Sequence, residues 1–339
     1  MKVEIYTESP ERAIWGELAY FENELIARDF LKEKYSQLDV EHPDRLSFRN
    51  VTPFLIYIRQ ARQIFQSAHE ITNWMKPTHL YYGMMSLLKA LILTVDPFYP
   101  QNSHVLKHGI STKKKKKELF RFFYDDIRVQ KDGLFPHYQA LFSSHYRADY
   151  SPIQLMQMIP DIQDTVYKIT QYHHFLPVVV EDNQENVLIT LPDTILEQYK
   201  FSRERFVEWL NSKSCEGLFR LVDVEGEKAK NHFQVTWSGK QDQVIQHPYL
   251  YQNKKGDYFV WIRNNHLVEP VPEMEAEYLL LFSLSMLSRY EPPLWAEVMD
   301  ATTSMEGILI QELLHIVQRK FPNLMLNQLH RKEYVYLIR

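Results

Sequence analysis

One cysteine, Cys215, in 339 residues excludes an internal disulfide framework and any zinc site built from several cysteines. That scarcity fits a reducing compartment, and the cytoplasm is the expected location. Cys215 sits in Ser214-Cys215-Glu216-Gly217 with no histidine nearby, which reads as a loop thiol rather than a nucleophile. Glycine is also scarce, at 9 residues. Folds that depend on many tight turns are disfavoured, and neither GxGxxG nor a Walker-type loop is present. No motif calls for a cofactor. Charge of one sign is lacking too: 39 basic against 43 acidic residues leave −4, so no whole-chain field draws the protein to nucleic acid or to a membrane surface. The N-terminus lacks the basic-then-apolar order of a signal peptide. The longest nearly uncharged run, residues 274–290, is interrupted by Glu275 and Glu277, so no membrane span is expected.

What is present is apolar and aromatic. At 45% hydrophobic residues the chain is globular and long enough for two or three packed layers. Residues 80–93 are apolar on almost every side and predict a central helix carrying one charge, Lys89. Helical periodicity covers residues 12–37. Residues 39–50 read as polar and turn-like, and Thr52-Pro53 reads as a cap followed by proline at the first helical position. Ser151-Pro152 repeats that signature. β-Branched runs at 176–180 and 186–190 predict a hairpin, with further strands at 219–224, 232–237 and 257–263. Helical pattern returns at 274–290, 293–300 and 305–320, where Pro322 is expected to end the last helix. Strands thus form one block between helical blocks, which predicts a mainly α-helical α+β protein. The divisions drawn are 1–52, 53–175, a β-rich 176–270 and a C-terminal helical 271–339.

Tyr81-Tyr82, Lys89-Ala90-Leu91, Ser103-His104, His108-Gly109 and Arg147-Ala148-Asp149-Tyr150 occur in an order that resembles HEPN-type helical bundles, over roughly residues 53–172. The whole chain resembles the bacterial YaaC-like family. That resemblance is carried by Ile14-Trp15-Gly16-Glu17-Leu18, the apolar helix, His108-Gly109, Gly133-Leu134-Phe135-Pro136, and the stretch from Ser288-Arg289-Tyr290 through Glu291-Pro292-Pro293 to Trp295. The family carries no established activity. HEPN bundles include metal-independent ribonucleases marked by an Arg closely followed by a His. Only Arg62 and His69 meet that spacing, and they lie in the helix before the Tyr-Tyr helix, earlier than in those enzymes. The resemblance therefore implies a non-catalytic binding or regulatory protein, recognising a nucleotide or a partner enzyme and capable of forming a homodimer. A ribonuclease is the alternative.

Lys89 needs a partner, since an unpaired buried ammonium costs several kcal/mol, and Asp149 is the partner expected. The pair either holds helices together or, with Arg147, borders a cavity for an anion. His104 and His108 stand four apart, which on one helical turn would put both rings on one face, but no third metal ligand follows and no metal is expected. Lys113, Lys114, Lys115, Lys116 and Lys117 are either a solvated run or a salt-sensitive phosphate contact with nucleic acid. Arg289 either caps its helix or faces a ligand.

Overall fold

The computed structural model describes residues 2–114, 120–142, 149–183, 186–213, 218–222, 231–238, 247–262, 269–300 and 304–339. The protein is mainly α-helical with small sheets. After strand β1 (Lys2–Thr7) come α1 (Pro10–Ala19), α2 (Glu24–Gln37), α3 (Pro43–Glu70) and α4 (Lys76–Leu93). Beyond them lie β2 (Ile110–Lys113), β3 (Asp126–Val129), α5 (Leu134–Phe142), β4 (Asp149–Tyr150), α6 (Pro152–Met156) and α7 (Gln163–Thr170). The β-rich block holds β5 (Phe175–Asn183), β6 (Asn186–Pro192), α8 (Thr194–Tyr199), α9 (Arg203–Lys213), β7 (Phe219–Val222), β8 (His232–Trp237), β9 (Leu250–Gln252) and β10 (Tyr258–Trp261). The chain closes with α10 (Glu273–Tyr290), α11 (Pro292–Met299), α12 (Met305–His330) and β11 (Glu333–Ile338).

Helix α4 is the centre. Leu80, Met84, Leu87, Leu88, Leu91 and Ile92 are buried, and the helix packs on α3, α10 and α12. Gly83 permits the closest approach: a Cβ there would come within 2.7 Å of the Phe65 ring on α3. Helices α10 and α12 bury most of their surface, as their runs of leucine require. Among the described residues no helix is long and apolar enough to cross a membrane.

Two of the three expected proline boundaries fail. Helix α3 starts at Pro43, inside the stretch read as a turn, and continues through Pro53. Helix α12 likewise continues through Pro322 to His330. An internal proline costs about 3 kcal/mol. Phe54, Leu55 and Ile58 in one helix, and Phe321, Met325 and Leu326 in the other, are buried around it and offset that cost. The division at 52/53 therefore falls inside one helix. Ser151-Pro152 does start a helix, with a full capping box through Gln154.

The hairpin β5–β6 forms with Asn183 opposite Asn186, in a six-stranded antiparallel sheet of order β7-β8-β6-β5-β10-β9. A three-stranded antiparallel sheet joins β2, β3 and β4. Strands β1 and β11 were not expected. They pair in parallel, Lys2 opposite Glu333 through Thr7 opposite Ile338, and tie the first and last segments together.

Candidate functional site

The site grows from α4. Its Tyr81 and Tyr82 meet α10, and two turns on Lys89 turns to Tyr57 of α3. The third contributor is a loop held by glycine. Gly109 and Gly133 both have positive φ, 74° and 142°, and their backbones touch so closely that a Cβ on Gly133 would lie 2.3 Å from the Gly109 Cα. Leu134 N donates to Lys107 O at 2.7 Å and Gln130 N donates to Gly109 O at 2.8 Å, so both flanks of the loop are fixed. His108 is thereby aimed at α4, where its Nδ1 lies 2.7 Å from the Tyr81 hydroxyl. The Tyr278 hydroxyl of α10 donates to Tyr81 at 3.4 Å, and the Tyr81 ring also meets Phe282.

Arg289 closes the site from the last turn of α10. Its Nε donates to Ser285 O at 3.0 Å and its Nη1 to the Tyr82 hydroxyl at 3.2 Å, while the guanidinium lies over the Tyr82 ring. It caps the helix and faces the cluster at once. The Lys89 ammonium lies over the Tyr57 ring of α3, 5.6 Å from its centre. Burial lowers the Lys89 pKa. Burial also lowers that of His108, and the positive charges of Arg289 and Lys89 press it further down. Burial pushes the Tyr81 and Tyr278 hydroxyls well above their usual range. The result is two cations and a neutral imidazole set among tyrosines. Among the described residues neither Lys89 nor Arg289 has a carboxylate within ion-pair distance.

Of the residues singled out from sequence, His108 and Arg289 meet the adjacent Tyr81 and Tyr82, and Lys89 lies over Tyr57, its charge reaching His108 only through space. The Lys89–Asp149 pair does not form. Asp149 faces Arg128 across the β3–β4 register, with Oδ1 3.2 Å from Nε, and is 61% exposed, so strand pairing decides its partner. Arg147 lies outside the described residues, as do Lys115, Lys116 and Lys117 and Cys215. Lys113 ends strand β2, and Lys114 pairs with Glu291. His104 is exposed in a single 3₁₀ turn and His108 lies beyond that turn, so the two rings do not share a helical face. Among the described residues no three His, Cys, Asp or Glu side chains could hold a metal.

Arg62 and His69 share α3 but are engaged separately. Arg62 holds Glu22 through two hydrogen bonds, at 2.5 and 2.9 Å. His69 Nε2 lies 2.9 Å from Glu11. Burial alone would raise the Glu22 pKa, but the bonds from Arg62 and Arg59 hold it below the usual range.

Sequence reasoning missed a second charged cluster. Lys320 of α12 meets Asp161 and, at 2.7 Å, Glu273 of α10, and these side chains are only 4, 3 and 6% exposed. Glu277, one turn along α10 from Glu273, is fully buried, and neither of its carboxylate oxygens has a hydrogen-bond partner among the described residues. Burial raises Glu273 to about 7, with Lys320 opposing and Asp161 adding to the rise. Burial raises Glu277 further, aided by the charge of Glu273. Charged residues in the apolar stretches 273–290 and 305–330 were the available signal, as telling as Lys89 in α4.

No curated protein and no solved structure matches the chain. One family model does, that described as YaaC-like Protein, over residues 19–329.

Proposed function

Because the chain belongs to the YaaC-like family, whose resemblance carries no activity with it, we propose a function from the site: a non-catalytic binding or regulatory protein whose ligand is a nucleotide held at Lys89, His108 and Arg289. The observation that carries this reading is a pair of half-buried cations, Lys89 over Tyr57 and Arg289 over Tyr82, whose charges both act through space on His108, with no carboxylate among the described residues at ion-pair distance from either cation. A cation over an aromatic ring gains about 0.5–2 kcal/mol, less than the several kcal/mol a buried charge loses in leaving water. An anion would make up the difference. A phosphate accepts charge-assisted hydrogen bonds from ammonium, guanidinium and imidazolium alike.

Within this reading the helices around α4 form a HEPN-like core, the protein works in the cytoplasm, and self-association into a homodimer belongs to its regulatory role. A partner enzyme would be met with the nucleotide bound. The single cysteine supports the location. The ribonuclease alternative gains no support from Arg62 and His69, since each is held by its own carboxylate.

Thermal shifts across a panel of nucleoside mono-, di- and triphosphates test the proposal. A ligand at a hundredfold its Kd stabilises by about 2.7 kcal/mol. A shift that disappears in Arg289→Gln supports the site; no shift with any nucleotide contradicts it. Cleavage of RNA under metal-free conditions, lost in His69→Ala, would instead establish the ribonuclease.

A further inference from the structure

A cavity of about 390 Å³ opens elsewhere in the molecule, between the start of α1, the end of α3, α12 and the turn joining β9 to β10. It shares no residue with the Lys89 cluster. Basic side chains dominate its wall: His69, Lys254, His315, Arg319 and Lys320, against Glu8 and Glu11. Their partners show which charges are free. Lys320 is spent on Asp161 and Glu273, and Glu11 is taken by His69. Arg319 uses one guanidinium nitrogen for two backbone carbonyls, those of Lys254, at 3.2 Å, and Tyr336. Among the described residues no carboxylate reaches Arg319 or the Lys254 ammonium as an ion pair. Asp161 and Glu11 act on Arg319 only through space, against a desolvation that lowers its pKa.

Arg319 is therefore a partly desolvated cation, fixed in direction by carbonyls and short of an anion. His315 stands one turn before it on α12, so the two lie on the same face. Ser9, Pro10 and Glu11 bring the first turn of α1 to the same cavity, where the helix dipole favours negative charge, though Pro10 has no N–H and the Ser9 amide donates to Thr7 Oγ1. Pro10, Ile316 and Ile338 add an apolar strip of wall. The volume falls in the range of small-molecule sites.

We propose that this cavity binds a small phosphomonoester, its phosphate held by Lys254, His315 and Arg319 and its organic body lying on Pro10, Ile316 and Ile338. A doubly charged tetrahedral group uses three separate donors and a helix terminus where a single carboxylate would leave some unmatched.

Calorimetric titration with ribose 5-phosphate, ribose and inorganic phosphate tests it on the full chain. Ribose 5-phosphate should bind saturably, inorganic phosphate more weakly, and ribose not at all. Charge-assisted hydrogen bonds of about 1.5–3 kcal/mol each correspond to an affinity loss of about tenfold or more in Arg319→Gln. Arg319 also anchors two backbone carbonyls, so the Lys254→Met/His315→Ala double variant carries the test independently of folding, and it should lose affinity to the same degree. Arg289→Gln should leave this binding unchanged, which keeps it separate from the nucleotide site. Affinity in the double variant within twofold of the parent, ribose binding as tightly as its phosphate, or no saturable heat at millimolar concentrations would each overturn the proposal.

Discussion

Replacing Lys320 by Met removes the ion-paired ammonium from a nearly dry cluster of carboxylates. Asp161 and Glu273 would keep their burial, at 3 and 6% exposure, and lose the ammonium lying 2.7 Å from Glu273. Breaking a buried pair from one side costs about 3–5 kcal/mol. The pH dependence is the sharper signature. In the parent, Glu273 is raised from 4.5 to about 7. A carboxylic acid whose folded pKa exceeds its unfolded one contributes most to stability below its unfolded pKa, and that contribution is lost as pH rises through the folded value. Here the loss is about 3 kcal/mol between pH 4.5 and pH values above 7, from about 1.4 kcal/mol per pKa unit. Without Lys320, Glu273 is pushed higher still, so the variant should be closest to the parent near pH 4.5 and furthest from it near pH 8. Guanidinium unfolding followed by tryptophan fluorescence, repeated across that range, measures both effects. A variant within about 1 kcal/mol of the parent near pH 8, with the same pH slope, would refute the reasoning.

Glu277→Gln should be close to neutral near pH 4 and progressively stabilising as pH rises, because the parent must keep a fully buried carboxyl protonated or ionise it beside Glu273; the same unfolding series checks it. Gly133→Ala sets a Cβ against the Gly109 backbone at a positive φ and should cost roughly 2–4 kcal/mol by strain and clash, with nucleotide binding falling because His108 loses its position. Asp149→Asn should change stability by less than about 0.5 kcal/mol, since its pair with Arg128 is exposed, whereas the sequence-based pairing with Lys89 would have made it severe. His108 is held neutral by burial and two neighbouring cations; an anion reverses that field, so binding should take up a proton and tighten as pH falls from 8 to 6, visible as buffer-dependent heats in calorimetry.

Helices were legible wherever an apolar period ran uninterrupted, as in α4 and α10, and strands wherever β-branched residues clustered, as in β5, β6 and β8. Proline misled twice, at Pro53 and Pro322, because the local cost of an internal proline is outweighed by burial that only tertiary contacts supply. Strands β1 and β11 were invisible because each needs a partner more than 300 residues away, as Lys2 opposite Glu333 shows. At the site, Lys89 stood out as a charge in an apolar helix, and Arg289 stood out at a helix end beside two prolines. The partner of Lys89 was not legible: Asp149 answers to the strand register, and an aromatic face, Tyr57, takes the lysine instead. The Lys320 cluster shows the same limit, since its carboxylates come from α10 and from the turn before α7.

The most direct test of the central claim is the affinity of a nucleoside triphosphate for the parent and for Lys89→Met and Arg289→Gln, measured by calorimetry at low and moderate salt. The account predicts saturable binding by the parent, an affinity loss of about tenfold or more in each variant, and a weaker salt dependence in both. Equal affinity in the parent and both variants, or no binding by the parent at low salt, would contradict it.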